Sequence, residues 1–564
     1  MSRPPADVVV VGLGAAGGTA VLPLVEAGLD VVALDAGDRA PQPDDAPDEL
    51  ESWLFRNRWG ASKVNRELPT HRLSRDEGAG PPLGPIRMAN AVGGTAHVWS
   101  CQWGRFPEWS LRARSASLKR YGSTALPARS TLVDWPLDSE ELEPDYSCVE
   151  ELHGVSGMAG NVAGELRAGG NCFEAPRRSE YPLPPLRSTG WTDLMATSAS
   201  KLGLHPFPGA AAIRSKPYRD LAECTYCGFC GGTHCYRAAK ASPAAAGIPE
   251  AEAAGLRVVT RARAMRLLVD RDGRATGVAY VREGQEHVQS AAVVLLAAYT
   301  YENVRLLLVS TSKAFPRGLA NNGGQVGRHF MTHLFTGMLG LFERRDLNLF
   351  SGSIAQCTAV ADWSSDNFDH SGLGFVGGGM LSAGMQAMPI RTALSMPPDA
   401  PRWGRRWKRW LHENARSIGT VNALVEVFPS EENVLDLDPA TRDEAGMPVV
   451  RCTYALDPTD LLRARFLQQK CREWLEEAGA SNTWTYPPFS QAVSSHAYGG
   501  TRMGDDPDDA VSDRWGFSHE VPNLGFLGAS LFPSASDQPP TATVQALALR
   551  TARHLVDDWN AIRG

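Results

Sequence analysis

The 564-residue sequence predicts an α/β fold that opens on a Rossmann-like dinucleotide-binding unit. Three observations carry this: four valines at 8–11, a G-x-G-x-x-G string of Gly12, Gly14 and Gly17, and a second apolar run, DVVALD, closing on Asp35. An unbroken valine run reads as a strand buried on both faces of a parallel sheet. Gly12 permits the tight turn, Gly14 lets backbone approach a pyrophosphate, and Gly17 lets helix and strand pack closely. The helical stretch that follows, to Ala27, turns its N-terminus toward phosphate, and Pro23 is expected to kink it. Asp35 stands at about the 20-residue spacing of a carboxylate on ribose hydroxyls, where it disfavours NADP by repelling the 2′-phosphate. The motif does not choose between FAD and NAD.

Length predicts two or more structural domains, and 43% hydrophobic content, 21% charged residues and 15 tryptophans describe a folded globular chain. The net charge of −7 and a pI near 6.0 point away from nucleic acid. No apolar run reaches the roughly 20 residues that cross a bilayer, so no direct membrane insertion is expected. MSRPPADVVVVGLG has no signal-peptide pattern, which suggests a cytoplasmic enzyme, with periplasmic export beside a signal-bearing partner as the alternative.

Further along, Gly93 and Gly94 in AVGGTAHVW would let backbone approach a flat or anionic ligand. Residues 255–281 alternate like a β-meander with a turn at Asp272 and Gly273, and AAVVLLAA (291–298) reads as another buried strand. Residues 401–417 are basic, with Trp403, Trp407 and Trp410 at helical spacing, and read as a solvated helix with an aromatic underside. The stretch 521–555 reads as a strand, a loop and a helix beginning near Thr541 to Thr543. CTYCGFCGGTHC packs Cys224, Cys227, Cys230 and Cys235 into twelve residues of a chain with ten cysteines. A disulfide suits neither a reducing compartment nor such close pairs, and the spacing is compact for zinc. Iron–sulfur ligation matches runs of closely spaced thiolates, with Gly228, Gly231 and Gly232 letting the chain curl, while a metal-free loop stays open. His234 reads as a loop histidine.

These strings in this order resemble the glucose–methanol–choline (GMC) family of FAD-dependent alcohol oxidoreductases. Within it they resemble the flavoprotein subunits of gluconate 2-dehydrogenase and related sugar or polyol dehydrogenases. DWPLDSEELEPDYSCVEELHGVSGMAGN (134–161), AKASP (239–243), LAAYTYENVRLLLVS (296–310), GLANNGGQVGRHFMTH (318–333), ENVLDLDPATRDEAGMPV (432–449) and SSHAYGGTRMG (494–504) carry the likeness, which spans essentially the whole chain. It implies an α/β FAD-binding Rossmann-like domain interleaved with an α+β substrate-binding domain. The FAD part would take residues 1–110, 210–330 and 490–564, and the substrate part 111–209 and 331–489. It implies FAD contacts at Gly12, Gly14, Ala16, Gly17, Asp35, Ala36, Val92, Gly93, Gly94, Val259, Ala298, Gly528, Ala529 and Thr541.

Alcohol oxidation by hydride transfer needs a base near neutral pH, and histidine suits that task. Of thirteen histidines, His496 matches the family's H-x-x-G position facing the flavin. The family's second active-site residue, Asn or His, falls on Pro539 in SDQPPTAT, leaving Gln538 as the nearest amide for the substrate oxygen. Covalent relatives carry histidine where GGTAHVW has Val98, with His97 one place early, so non-covalent FAD is expected. The likeness further implies an iron–sulfur cluster of the [3Fe-4S] type on the four cysteines, passing electrons to a small subunit and cytochrome or other acceptor. The expected reaction oxidises a secondary alcohol of a sugar, sugar acid, glycoside or polyol to a ketone. Two rivals remain: an oxidase returning electrons to dioxygen, acting on a glycoside or natural product with the cysteine loop structural, and a non-catalytic flavoprotein scaffold.

Overall fold

The computed structural model describes residues 5–40, 49, 67–81, 88–230, 234–384, 388–485 and 494–564. Gly231 and Gly232 of the cysteine loop lie outside the described residues. The Ala6–Val11 strand sits inside a seven-stranded sheet, parallel to Gln285–Leu296 on one side and to Val31–Leu34 on the other. Arg257–Val259 extends the sheet beyond Val31–Leu34, and Leu524–Phe526 joins the far side of Gln285–Leu296, both in parallel. The long Gln285–Leu296 strand serves twice. Its first half closes an antiparallel meander with Ala275–Arg282 and Arg263–Val269, and its second half, the predicted apolar run, pairs with the N-terminal valines. The meander turns at Asp272 and Gly273, with Gly273 at φ +83.

The Ala15–Glu26 helix runs through Pro23 without a break. Only one intrahelical bond is lost by a proline so near the C-terminus, and Ala27 N–H still donates to the Pro23 carbonyl at 3.1 Å. The C-terminal Thr541–Asp557 helix packs beside it, with Gln545 Nε2 donating to Thr19 Oγ1 at 3.0 Å. Val8, Val10, Leu24, Val31, Ala548 and Leu555 share one buried cluster, so both ends of the chain close a single core. Each buried valine or leucine of this cluster contributes about 1.5–3 kcal/mol.

A second, antiparallel sheet of six strands runs Asn482–Thr485, Leu334–Leu341, Ile418–Val425, Gly379–Gly384, Cys357–Val360, Phe207–Pro208. The Gly190–Lys201 and Pro458–Glu477 helices cover one face through Trp191, Met195, Leu467 and Trp474. Both sheets draw strands from stretches far apart in sequence. The basic Gly404–Asn414 helix lies at the surface, with Trp410 against Leu339, Leu341, Ile418 and Trp484 and Trp403 85% exposed.

Candidate active site

A cavity of about 710 Å³ lies along the carboxyl ends of the parallel strands, where open α/β sheets bind their ligands. Gly12, Gly14, Ala16, Asp35, Ala36, Gly94, Ala298, Gly528, Ala529 and Thr541 line it. Gly17, Val92, Gly93 and Val259 stand behind the wall. A Cβ on Gly17 would overlap the Gly12 carbonyl, and Gly93 at φ +97 donates its N–H to Leu13 O at 2.8 Å. Val92 O bonds His97 Nε2 at 2.7 Å, and Val259 O accepts from Asp35 N at 3.0 Å.

The wall suits a dinucleotide. The Ala15–Glu26 helix begins at Gly14 and the Thr541–Asp557 helix at Pro540, each without a side-chain cap or an acidic residue in its first turn. Their first N–H groups therefore stay available to anionic and polar groups at the cavity wall. A Cβ on Gly94, at φ +56, would come within 2.8 Å of Gly14 Cα, so any side chain there closes the cradle. Asp35 is buried, with Oδ2 accepting from Leu13 N at 2.9 Å and Oδ1 from Gly37 N at 2.8 Å. The carboxylate thus holds the turn, while its four lone pairs leave room for a ribose hydroxyl. Val98, and not His97, is on the cavity wall.

His496 lines the same cavity beside Ser495 and Phe335, whose ring is 53% exposed and lies 5.2 Å from the His496 ring. A two-stranded pairing of Met331–Thr332 with Ala497–Tyr498 places it, and sets His333 against it. His496 Nδ1 lies 2.8 Å from His333 Nδ1. Burial lowers the His496 pKa to about 4. The neutral form therefore persists as pH falls from the ordinary 6.5 toward 4. Flavin reduction by alcohol, followed by stopped flow, is expected to hold its rate down to about pH 5 and to fall only near pH 4. An acid limb centred at the ordinary histidine value would count against His496 as the titrating group.

Gln538 does not join this wall. Pro539 and Pro540 line the main cavity, whereas the Gln538 side chain faces a smaller one of about 80 Å³, with its Oε1 against Gly104 and its Nε2 donating to Asp537 Oδ1 at 3.2 Å. The Gln538 amide thus stands off the cavity that His496 lines, where it was expected beside the substrate oxygen. Gln102 borders both cavities. Sequence reasoning assigned no role to His333, Phe335 or Gln102; His333 closes the GLANNGGQVGRHFMTH string and Gln102 lies in the 87–109 stretch around Gly93 and Gly94, whereas Phe335 lies in no such string.

The cysteine loop is tied to the cofactor wall through AKASP. Buried Lys240 donates Nζ to Cys230 O at 3.0 Å and His97 O at 3.4 Å, and Trp99 Nε1 donates to Ala241 O at 2.9 Å. Cys230 is buried, Cys224, Cys227 and Cys235 are partly so, and none of the four is joined in a disulfide. Burial first, then the neighbouring thiols of Cys230, Cys235 and Cys227, push Cys224 up to about 12. Among the described residues no three His, Cys, Asp or Glu side chains are grouped to hold a metal ion.

A glycine-cradled dinucleotide cavity with a histidine on its wall, between a parallel sheet and a six-stranded antiparallel sheet, defines a flavin-dependent alcohol oxidoreductase. The chain belongs to the GMC oxidoreductase family, whose sequence profile matches residues 209–335 and 429–548. It is 31% identical to the gluconate 2-dehydrogenase flavoprotein of Pantoea cypripedii, over 98% of this chain and 94% of that one. It is 27% identical to the 2-methyl-1,2-propanediol dehydrogenase of Mycolicibacterium austroafricanum (97% and 95% covered) and 26% identical to the fructose dehydrogenase large subunit of Gluconobacter japonicus (98% and 98%). Pyridoxine 4-oxidase from Mesorbium loti shares the fold at TM-score 0.64 and 16% identity, covering 97% of this chain and 99% of that one.

Proposed function

We propose that this FAD-dependent alcohol oxidoreductase oxidises a secondary hydroxyl of a sugar, sugar acid, glycoside or polyol to the ketone, with His496 as the base. The observation that carries the reading is the placement of His496. It stands on the wall of the glycine-lined cavity, neutral, with Nδ1 held by His333 and no hydrogen-bond partner for Nε2 among the described residues. FAD, when bound, supplies the hydride acceptor. Gly12, Gly14 and the two uncapped helix N-termini hold its polar groups, and His496 Nε2 takes the hydroxyl proton as the carbinol carbon is oxidised. Phe335 presents an apolar face beside that proton, keeping water from competing for the base.

The secondary-hydroxyl reading rests on the relatives named for gluconate and fructose; the relative named for 2-methyl-1,2-propanediol, a diol with a primary and a tertiary hydroxyl, supports only the wider class of small alcohols. Anaerobic bleaching of the flavin across sugars, sugar acids, polyols and glycosides tests it; no bleaching by any of these sinks the reading. The domain layout 1–110, 111–209, 210–330, 331–489 and 490–564 belongs to the same proposal. So does non-covalent FAD, favoured by Val98 on the wall where covalent relatives hold histidine. Acid precipitation is expected to release all the flavin, and fluorescence surviving on the chain in SDS gels would refute this.

For the electrons we favour a separate acceptor, a small subunit with a cytochrome or another redox protein, over dioxygen. An iron–sulfur cluster on Cys224, Cys227, Cys230 and Cys235 is the finer form of this reading. It is supported by the spacing and by the bonds that join the loop to the flavin wall through Lys240. Iron and acid-labile sulfide in stoichiometric amounts bear it out, and purified protein lacking both ends it. Rapid peroxide formation in air would replace the acceptor by dioxygen.

A further inference from the structure

His333 is buried and touches three groups. Its Nε2 contacts the backbone carbonyl of Ser536, its Nδ1 lies 2.8 Å from His496 Nδ1, and the Tyr498 hydroxyl lies 2.9 Å from the same Nδ1. A carbonyl oxygen can only accept, so the hydrogen of His333 is on Nε2. Burial, and next the neighbouring His496, lower the His333 pKa well below its ordinary value, so the ring carries one hydrogen and not two. Its Nδ1 is therefore a bare lone pair. Two bare nitrogens at 2.8 Å would repel, so the contact is attractive only if His496 Nδ1 donates.

We propose that His333 is a positioning residue that locks His496 in the tautomer protonated at Nδ1, leaving Nε2 free to accept a proton from the alcohol. The inference rests on His496 being the base. The opposite tautomer would point an N–H at the substrate hydroxyl and could not take its proton. The lock is backbone-anchored: Ser536 O fixes the His333 tautomer, and His333 fixes that of His496. The Tyr498 hydroxyl, 2.9 Å from Nδ1 and 3.3 Å from Nε2 of His333, and the 5.0 Å ring contact between the histidines set the orientation. Once His496 has taken the proton, its Nδ1–H still donates to His333, so the charged ring keeps its partner.

The test uses the flavin-loaded full chain. His333→Leu removes the acceptor, whereas His333→Gln can accept from His496 through Oε1 and donate to Ser536 O through Nε2. The limiting rate of flavin reduction is expected to fall about tenfold to a hundredfold in His333→Leu, with the apparent substrate Kd unchanged, and to return within about threefold in His333→Gln. In 15N-histidine-labelled wild type, the nitrogen shifts of His496 are expected to report a protonated Nδ1 and a bare Nε2. A His333→Leu rate equal to wild type overturns the proposal, and so does a protonated Nε2 in the wild type. If His333→Leu does not fold, the wild-type shifts and the glutamine variant decide. Failure of the base reading is separate: His496→Ala would then reduce flavin at the wild-type rate while the wild-type shifts still showed the locked tautomer.

Discussion

In the His496→Ala protein, reduction of the flavin by substrate is expected to slow by about 10²–10⁴-fold, with flavin content and melting temperature close to wild type. The reasons are local. His496 is the only histidine on the cavity wall among the described residues, and its imidazole stays neutral well below physiological pH. Alanine leaves the Gly12 and Gly94 cradle and both helix N-termini untouched, so FAD binding has no cause to change. His333 loses one donor but keeps Ser536 O and Tyr498. Stopped-flow reduction under anaerobic conditions reads the effect. A rate within threefold of wild type (about 0.7 kcal/mol) would remove the base from the mechanism.

Glu150→Gln is expected to cost about 3–5 kcal/mol of stability, the largest loss anticipated for a residue outside the cavity. Glu150 is 1% exposed on the Ser139–His153 helix. Oε1 accepts from Trp103 Nε1 at 3.1 Å and Arg105 Nε at 2.8 Å, and Oε2 accepts from Arg105 Nη2 at 2.8 Å and from Arg177. Burial pushes the carboxyl up, but Arg105 and Arg177 outweigh it and hold the pKa below the ordinary 4.5. Its contribution is thus full above pH 4.5 and is lost as pH falls below that value. Glutamine keeps the shape and removes the central carboxylate of the network, leaving Arg105 with Glu143 alone at 3.2 Å and Arg177 with Glu174 alone at 3.0 Å. The comparison is Arg39→Ala at the surface Arg39–Glu252 pair, 53% and 31% exposed, where the loss should stay within about 1 kcal/mol. Thermal unfolding of both variants checks the ranking, and a Glu150→Gln melting point no lower than that of Arg39→Ala contradicts it. Trp103 and Arg105 follow Gln102 in sequence, so this network also braces a segment that borders both cavities.

The valine run, the spacing of Gly12, Gly14 and Gly17, and the apolar run at 291–298 were legible because a buried parallel strand and a phosphate turn constrain residue type locally. The solvated character of the 404–414 helix was legible for the same reason. Gln538 was misjudged because sequence proximity to a motif does not say which way a side chain leaves a turn, and two adjacent prolines send this one toward Gly104. His333 stood in plain sight within GRHFMTH, yet its partner lies 163 residues away.

By itself, the sequence determined the family and the dinucleotide cradle, since each depends on backbone needs or side-chain chemistry written in a short string. Only the tertiary structure decided that His333 backs His496, that Gln538 faces another cavity, and that Lys240 ties the cysteine loop to the flavin wall. Those relations come from pairing Met331–Thr332 with Ala497–Tyr498 and from folding the AKASP stretch against the cofactor turn. Side chains brought together that way carry no shared period or spacing, so no pattern along the chain records them.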